Sequence, residues 1–330
     1  MPEAGPSRAA VDQRPTALLR TASSTLAAAG VPSPRVDAEV LLAHVLGVDR
    51  AELRRLAVLD DPVGNKGSDG GTGDSAPVAE VFARLVERRA RREPLQHLTG
   101  RAAFRYLELH VGPGVFVPRP ETEEVAQVAV DAAVVSVRER GSAVVVDLCA
   151  GSGAIALAVA TEVPGASVHA VELDEQAHSW AARNVARLSP GGAASVVHLV
   201  RGDARTALGA LDGTVDVVVS NPPYVPPGAV PHDPEVADHD PPVALYGLGG
   251  DGLEVPRGVT AAAVRLLRPG GLYVMEHAEV QAEAARSMVA AAGFAEVRTR
   301  QDLTGRPRMV VGRAPGRAPG DVRTVTDWGV

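Results

Sequence analysis

The chain has 330 residues, a formal charge of −7, nine histidines and a single cysteine, Cys149. That length can hold two ordinary domains with a sizeable core. The negative balance argues against a surface built as a whole for nucleic acid. One cysteine excludes an internal disulfide and a cysteine-based zinc site, and the histidines show no paired ligand spacing, so no metal is expected. The opening MPEAGPSRAA lacks the apolar stretch of a signal peptide, and no apolar run is long enough to cross a bilayer, so a cytoplasmic protein is expected.

Residues up to about Pro15 read as disordered. From there to Ala29 an Ala/Leu-rich segment predicts a helix ended by Gly30. A second helix is expected from Pro34 to Leu46, with Val36, Val40, Leu41 and Val45 on one side and Gly47 past its end. Asp60 to Ala76 is polar and low in complexity, and reads as a flexible inserted loop. Val78, Val81, Phe82, Leu85 and Val86 then mark the clearest core-facing helix in the chain. At its end, Arg88, Arg89, Arg91 and Arg92 read as solvated cations complementing a helix C-terminus, with a docking surface for an acidic or RNA-bound partner as the rival reading. These helices predict a small N-terminal α-helical domain, residues 1–93.

EPLQHLTG follows, and then alternation through Phe104, Tyr106, Leu107, Leu109 and Val111 suggests a β-hairpin closed around Gly112-Pro113-Gly114, within a connecting segment 94–120. Pro118 and Pro120 hold Arg119 extended, as either an ion-pairing residue or a contact to a carboxylate-bearing ligand, and Glu121 and Glu123 open the next helix. From Val144 the pattern alternates. Strands are expected at 144–148, 167–172, 196–200, 215–219 and 271–275, and helices at about 154–162, 175–188 and 252–267. Such alternation implies a parallel sheet covered on both faces, an α/β architecture. Two further strands, 295–299 and 308–311, flank a turn at Gly305-Arg306-Pro307, and the stretch after Gly312 reads as a disordered tail.

Two segments carry chemistry. Val144 to Ala160 is a buried strand, a turn with Gly151 and Gly153, and a helix whose free N–H groups suit a negatively charged or carbonyl-rich ligand. A dinucleotide fingerprint is the rival reading, with Ala156 at the third glycine position. Glu172 ends the second strand about 20 residues beyond the turn, where a carboxylate can hold ribose hydroxyls. Asp203, in Gly202-Asp203-Ala204, could meet an adenine amino group. Asp147 could accept from a ligand ammonium or fix the glycine turn. The other segment is Val219-Ser220-Asn221-Pro222-Pro223-Tyr224, where two prolines stop a buried strand at its C-terminal edge, the edge where open α/β sheets bind ligands. The Asn221 side-chain oxygen and the Pro222 carbonyl offer two acceptors suited to an NH2 group, and Tyr224 offers a ring face.

DxCxGSG, an acidic second-strand end, GDA and NPPY together resemble the class I S-adenosylmethionine-dependent methyltransferases that act on planar nitrogens. With PRVDAEVLLAHVLG, EPLQHLTG, VPRPETE and DLTGRPRMVVGR, the chain from about Leu18 to Arg313 is similar to the HemK/PrmC family of release-factor glutamine methyltransferases. It departs at Cys149, where that family often has Gly, and at the 60–76 loop. The resemblance implies a seven-stranded, mostly parallel Rossmann-like sheet over residues 121–313, the N-terminal domain as a substrate-recruiting module, and a tail at 314–330. It implies S-adenosyl-L-methionine as cofactor, S-adenosyl-L-homocysteine as product, and cofactor contacts from Asp147, Cys149, Ala150, Gly151, Ser152, Gly153, Glu172, Asp203, Ala204 and Asn221. The amide would be held by Asn221, Pro222, Pro223 and Tyr224, with Asn221, Pro222 and Tyr224 catalytic and the loop from Pro226 to Tyr246 a mobile rim. The implied partner is a peptide chain release factor, methylated on the glutamine of its GGQ motif by a monomeric enzyme with no nucleic acid or membrane. The alternatives are an exocyclic amine of adenine or guanine in nucleic acid, glutamine in another protein such as a ribosomal protein, and a non-catalytic cofactor-binding scaffold.

Overall fold

The computed structural model describes residues 13–63, 77–188 and 197–315. The expected disordered start, the loop from 64 to 76 and the tail beyond Pro315 lie outside the described residues. The described chain divides into two compact units. One holds the residues up to Gly100 together with His232–His239, and the other holds Arg101–Pro231 and the residues from Asp240 onward. The first unit therefore runs past the expected boundary at Glu93 and takes in a piece of the loop that follows NPPY.

The N-terminal unit contains α1 (Pro15–Ala28), α2 (Pro34–Leu46), α3 (Arg50–Leu59), α4 (Val78–Ala90) and α5 (Leu95–Thr99). Pro15 and Pro34 start their helices where a missing N–H costs nothing, and Gly47 ends α2 in the left-handed conformation, φ 65°. Leu18, Leu26, Leu41, Leu42, Leu53, Phe82 and Val86 form its core. The side of α2 that faces inward differs from the expected one. Val36 is exposed, whereas Asp37 and Glu39 are buried to meet cations: Arg89 Nε donates to Asp37 at 2.7 Å and Arg50 Nη2 to Glu39 at 2.8 Å. The arginines ending α4 are correspondingly not a uniformly solvated set. Arg89 is buried and also pairs with Glu235 at 2.8 Å, and Arg92 pairs with Glu235 at 2.6 Å. Glu235 sits on the short helix Pro234–Ala237, so these two ion pairs hold the segment 232–239 to the unit.

The second unit opens with a hairpin, β1 (Arg101–Phe104) and β2 (Leu107–His110), paired in register Phe104↔Leu107. This corrects the expected closure at Gly112-Pro113-Gly114. The turn is Arg105-Tyr106, with Arg105 at φ 51° and its guanidinium held by Glu162 at 2.6 Å. The two glycines serve close approach instead. A Cβ on Gly112 would come within 2.5 Å of the Trp180 ring, and one on Gly114 within 1.9 Å of the Gln176 side chain.

The remaining elements are α6 (Thr122–Arg140), β3 (Ala143–Leu148), α7 (Ala154–Glu162), β4 (Ala166–Glu172), α8 (Glu175–Leu188), β5 (Val197–Arg201), β6 (Val215–Ser220), α9 (Pro234–Ala237), α10 (Pro242–Leu245), α11 (Glu254–Leu266), β7 (Leu267–Glu276), α12 (Ala282–Ala291), β8 (Ala295–Gln301) and β9 (Pro307–Arg313). They form a seven-stranded sheet in the order β5-β4-β3-β6-β7-β9-β8, parallel except for β9, which runs antiparallel to β7 and to β8. Alternate residues supply two cores. Val145, Val217 and Val274 face the side with α6 and α7, and Val146, Val218 and Tyr273 face the side with α11 and α12. The chain is ordered past Gly312: Ala314 is buried and its N–H donates to the Gly271 carbonyl at 2.9 Å.

Candidate active site

The chain moves outward from β3 through β4 to β5, then returns to start β6 on the other side of β3. That reversal is a topological switch point, and ligands of open α/β sheets lie outside the strand ends there. Leu148 on β3 is in register with Ser220 on β6, and the Ser220 hydroxyl donates to the Leu148 carbonyl at 2.6 Å. The glycine turn and the Asn-Pro-Pro-Tyr corner therefore leave the sheet side by side.

The turn after β3 is wound tightly. Cys149, Gly151 and Gly153 have φ of 65°, 57° and 82°, and Gly153 donates to the Ala150 carbonyl at 2.8 Å before α7 begins. Cys149 holds a conformation that glycine adopts without strain, and burial pushes its thiol up. Glu172 is buried beneath the turn. Its Oε2 accepts from Gly151 N–H at 2.7 Å and its Oε1 from Asp174 N–H at 2.8 Å, while burial raises its pKa. Asp147 Oδ2 accepts from Ala156 N–H at 3.0 Å and so fixes the start of α7, but its Oδ1 is buried with no partner. Burial pushes the Asp147 carboxyl up to about 8. Buried Ser152 presents its carbonyl to Asn184 Nδ2 at 3.0 Å; the same amide brackets the His110 backbone, tying the hairpin to the turn. On β5's side, Ala204 is buried and Gly202 N–H donates to the Glu172 carbonyl at 2.9 Å. Both Asp203 oxygens are engaged by Arg205, the closer contact being 2.6 Å, and this holds the Asp203 carboxyl below its ordinary range.

Across the switch point, Asn221 is half-buried and its Nδ2 donates to Thr122 Oγ1 at 3.3 Å. No donor among the described residues engages its Oδ1 or the Pro222 carbonyl. Tyr224 has its hydroxyl on Glu276 Oε1 at 3.2 Å and its carbonyl on Gln281 Nε2 at 2.8 Å, which fixes both the ring and the backbone beyond the prolines. Arg119 is an ion-pairing residue, bound to buried Asp240 at 2.5 Å and lying over the Phe116 ring.

Four supports of this corner were not recognised in the sequence. Thr122 and Glu276 lie behind Asn221 and Tyr224, Gln281 holds the Tyr224 carbonyl, and Gly252 lies against the backbone from Tyr224 to Pro226. A Cβ on Gly252 would stand 2.4 Å from the Tyr224 carbonyl oxygen, and one on Gly247 would stand 1.8 Å from the Gly252 carbonyl. The glycine-dense run from Gly247 to Gly252 was the available signal.

A glycine turn with its buried carboxylates on one side of the switch point, and a proline-locked amide on the other, mark a class I S-adenosylmethionine-dependent methyltransferase. Residues 17–66 match the PrmC N-terminal domain family and residues 110–233 match the Methyltransferase small domain family. The release factor glutamine methyltransferase of Bifidobacterium longum is 45% identical over 301 residues, covering 89% of this chain and 98% of that protein. The Streptomyces coelicolor protein of the same name is 48% identical, covering 88% and 95%. The chain also resembles the 4-amino-L-phenylalanine/4-methylamino-L-phenylalanine methyltransferase of Streptomyces pristinaespiralis, at 38% identity over 83% of this chain and 87% of that one. The chain belongs to the release factor glutamine methyltransferase family.

Proposed function

We propose that this chain transfers a methyl group from S-adenosyl-L-methionine to the side-chain amide nitrogen of the GGQ glutamine in peptide chain release factors, with the N-terminal helical unit recruiting that substrate. The observation that carries the reading is the pair of acceptors, Asn221 Oδ1 and the Pro222 carbonyl, left without donors beside the glycine turn. The residues around the turn suit the cofactor. Asp147 Oδ1 is a buried acceptor awaiting a donor, which an ammonium group supplies, and a Cβ added at Gly151 would meet nothing within 4 Å, so that face of the turn is open. Glu172 retains lone pairs beyond those its two backbone donors use, and these would take the ribose hydroxyls. Asp203 would serve the adenine amino group with the lone pairs that Arg205 leaves, and Ala204 would pack beside it. Bound there, S-adenosylmethionine supplies an electrophilic methyl group on a sulfonium sulfur.

A glutamine amide nitrogen is a weak nucleophile because its lone pair is delocalised into its carbonyl. Asn221 and Pro222 would accept its two hydrogens and aim the nitrogen. As the new N–C bond forms, positive charge builds on the nitrogen and both acceptors bind more tightly, which stabilises the transition state. One N–H proton then leaves to solvent, and no general base is required beforehand. Pro223 keeps the backbone rigid, and Tyr224 forms the pocket wall, its hydroxyl already committed to Glu276.

Asn221→Ala tests the reading. Turnover should fall on the order of 10²-fold while calorimetric cofactor affinity holds, by analogy with removal of one oxyanion-hole contact. Unchanged turnover removes Asn221 from the mechanism. Tritium transfer compared among purified release factor, RNA and a free aryl amine separates this substrate from the alternatives.

A further inference from the structure

Behind Asn221 stand two polar side chains that the methyl-transfer reading leaves unused, Thr122 and Glu276, and they link Asn221 to the Tyr224 hydroxyl. Asn221 Nδ2 lies 3.3 Å from Thr122 Oγ1, Thr122 Oγ1 lies 2.8 Å from Glu276 Oε2, and Tyr224 Oη lies 3.2 Å from Glu276 Oε1. Thr122 and Glu276 are both buried, Glu276 at 1% exposure. From this geometry we infer that Thr122 and Glu276 are positioning residues, which hold the Asn221 amide with its oxygen turned to the acceptor nitrogen and its NH2 turned into the protein. The inference rests on the methyl-transfer reading and deepens it.

The argument is one of hydrogen-bond polarity. A side-chain amide can sit in either of two orientations, and packing barely distinguishes O from NH2. An ionised Glu276 can only accept, so the single hydroxyl proton of Thr122 must point at it. Thr122 Oγ1 then has only lone pairs left for Asn221, and only the NH2 group can face lone pairs. The Asn221 oxygen is thereby turned outward as an acceptor. Were Glu276 protonated, its proton could go to Thr122, Thr122 could donate to the Asn221 oxygen, and the amide would present NH2 to the substrate. Two NH2 groups would then oppose each other. The charge on Glu276 thus selects the working orientation two hydrogen bonds away.

The groups that set this charge are all at hand. Arg308 on β9 favours the ionised form, and so do the Thr122 and Tyr224 hydroxyls, while Glu121 before α6 opposes it. His277, the next residue along, has its Nδ1 2.8 Å from the Ala278 carbonyl, and burial keeps it below its ordinary range, so it is neutral near pH 7. Burial outweighs the favourable partners and pushes Glu276 up to about 7. Methyl transfer should therefore rise with pH through that region as Glu276 ionises.

The test is a pH profile of kcat and KM for methyl transfer into a release-factor acceptor by the wild type, Thr122→Ser, Thr122→Val and Glu276→Gln. The wild type should show an acidic limb with its midpoint near 7. Thr122→Ser keeps the hydroxyl and should retain both the limb and the rate within about 3-fold, whereas Thr122→Val should lower kcat roughly 10- to 100-fold with the cofactor KM unmoved. Glu276→Gln should lower kcat and lose the limb, because nothing is left to ionise. A Glu276→Gln profile that keeps the limb, or a Thr122→Val rate equal to that of the wild type, overturns the inference. Should those variants not fold, carbon-13 detection of the Glu276 carboxyl in the wild-type protein with S-adenosylhomocysteine decides. A titration that tracks the rate profile supports the inference, and one complete below about pH 5, as for an ordinary carboxylate, overturns it. Loss of activity in Asn221→Ala with normal profiles in Thr122→Val and Glu276→Gln would sink this inference alone. Full activity in Asn221→Ala would sink the reading beneath it.

Discussion

Gly252→Ala offers a sharp test of how the acceptor corner is held. Gly252 has φ 73°, and a Cβ there would lie 2.4 Å from the Tyr224 carbonyl oxygen, 2.7 Å from Pro226 N and 2.9 Å from the Val225 carbonyl carbon. All three are backbone atoms, so no side chain can swing away. Alanine in the left-handed region costs about 1–2 kcal/mol, and forcing atoms into a packed site costs about a further 1–3 kcal/mol. The sum, roughly 2–5 kcal/mol, is a large share of the ~5–15 kcal/mol that holds a domain folded. The strain also pushes the Tyr224 carbonyl away from Gln281 Nε2, its 2.8 Å partner. Melting temperature should drop by roughly 5–15 °C and methyl transfer should fall, while calorimetric cofactor binding to the folded variant changes little, because the cofactor turn follows β3 rather than β6. Gly250→Ala is the control, since a Cβ there meets nothing within 4 Å and its φ is unexceptional. A Gly252→Ala variant as stable and as active as Gly250→Ala would refute the reasoning.

Other consequences concern the cofactor turn. Asp147 should be largely protonated in the free protein at neutral pH, since burial pushes it up to about 8. Its protonated form therefore contributes stability that is lost as pH climbs from about 4 toward about 8, at ~1.4 kcal/mol per unit within that window, and Asp147→Asn should flatten the decline. If an ammonium takes the place of that proton, cofactor binding near pH 7 should release close to one proton, seen as a calorimetric enthalpy that varies with the ionisation heat of the buffer; a buffer-independent enthalpy would remove Asp147 from the ammonium site. Glu172→Ala deletes the acceptor of two backbone N–H groups as well as the ribose ligand, so calorimetry should show weaker cofactor binding than in Glu172→Gln, which keeps one acceptor. Cys149, with its thiol held protonated by burial, should alkylate at pH 8 far more slowly than an unhindered cysteine, and Cys149→Gly should leave cofactor binding intact because glycine adopts φ 65° freely.

Where one physical effect dominates, the sequence is legible. Both α7, Ala154–Glu162, and α8, Glu175–Leu188, occupy their expected ranges, and the central strands β3, β6 and β7 sit on expected apolar runs. These segments are buried on one face or both, so hydrophobic periodicity reports them directly. Glycine and proline at 112–114 do make a turn, with Val115 N–H on the Gly112 carbonyl at 3.4 Å, but it follows the hairpin instead of closing it, and its glycines also admit Trp180 and Gln176. The real turn at Arg105 depends on an ion pair with Glu162, distant in the chain, which no local pattern can report. The same holds for Asp37, Glu39, Arg89 and Arg92. Charged residues read as solvent-facing until a partner from another element is known, and here Asp37 and Arg89 meet across α2 and α4 while Arg92 meets Glu235 on α9.

The candidate site divides along a related line. Asp147, Glu172 and Glu276 are all buried carboxylates at or beside the C-terminal ends of parallel strands, β3, β4 and β7. The first two lie beside a glycine turn that gives each of them a role legible in the sequence. Glu276, in the run Tyr273-Val274-Met275-Glu276, carries the same signature with no motif next to it. A carboxylate is expensive to bury, so an acidic residue ending a strand apolar on both faces calls for a ligand or a hydrogen-bonded network whatever its neighbours are. Applied to every strand end rather than only to those beside a known motif, that rule points to Glu276 directly. Thr122 then follows as its partner, one helix N-terminus away in the fold and 154 residues away in the chain.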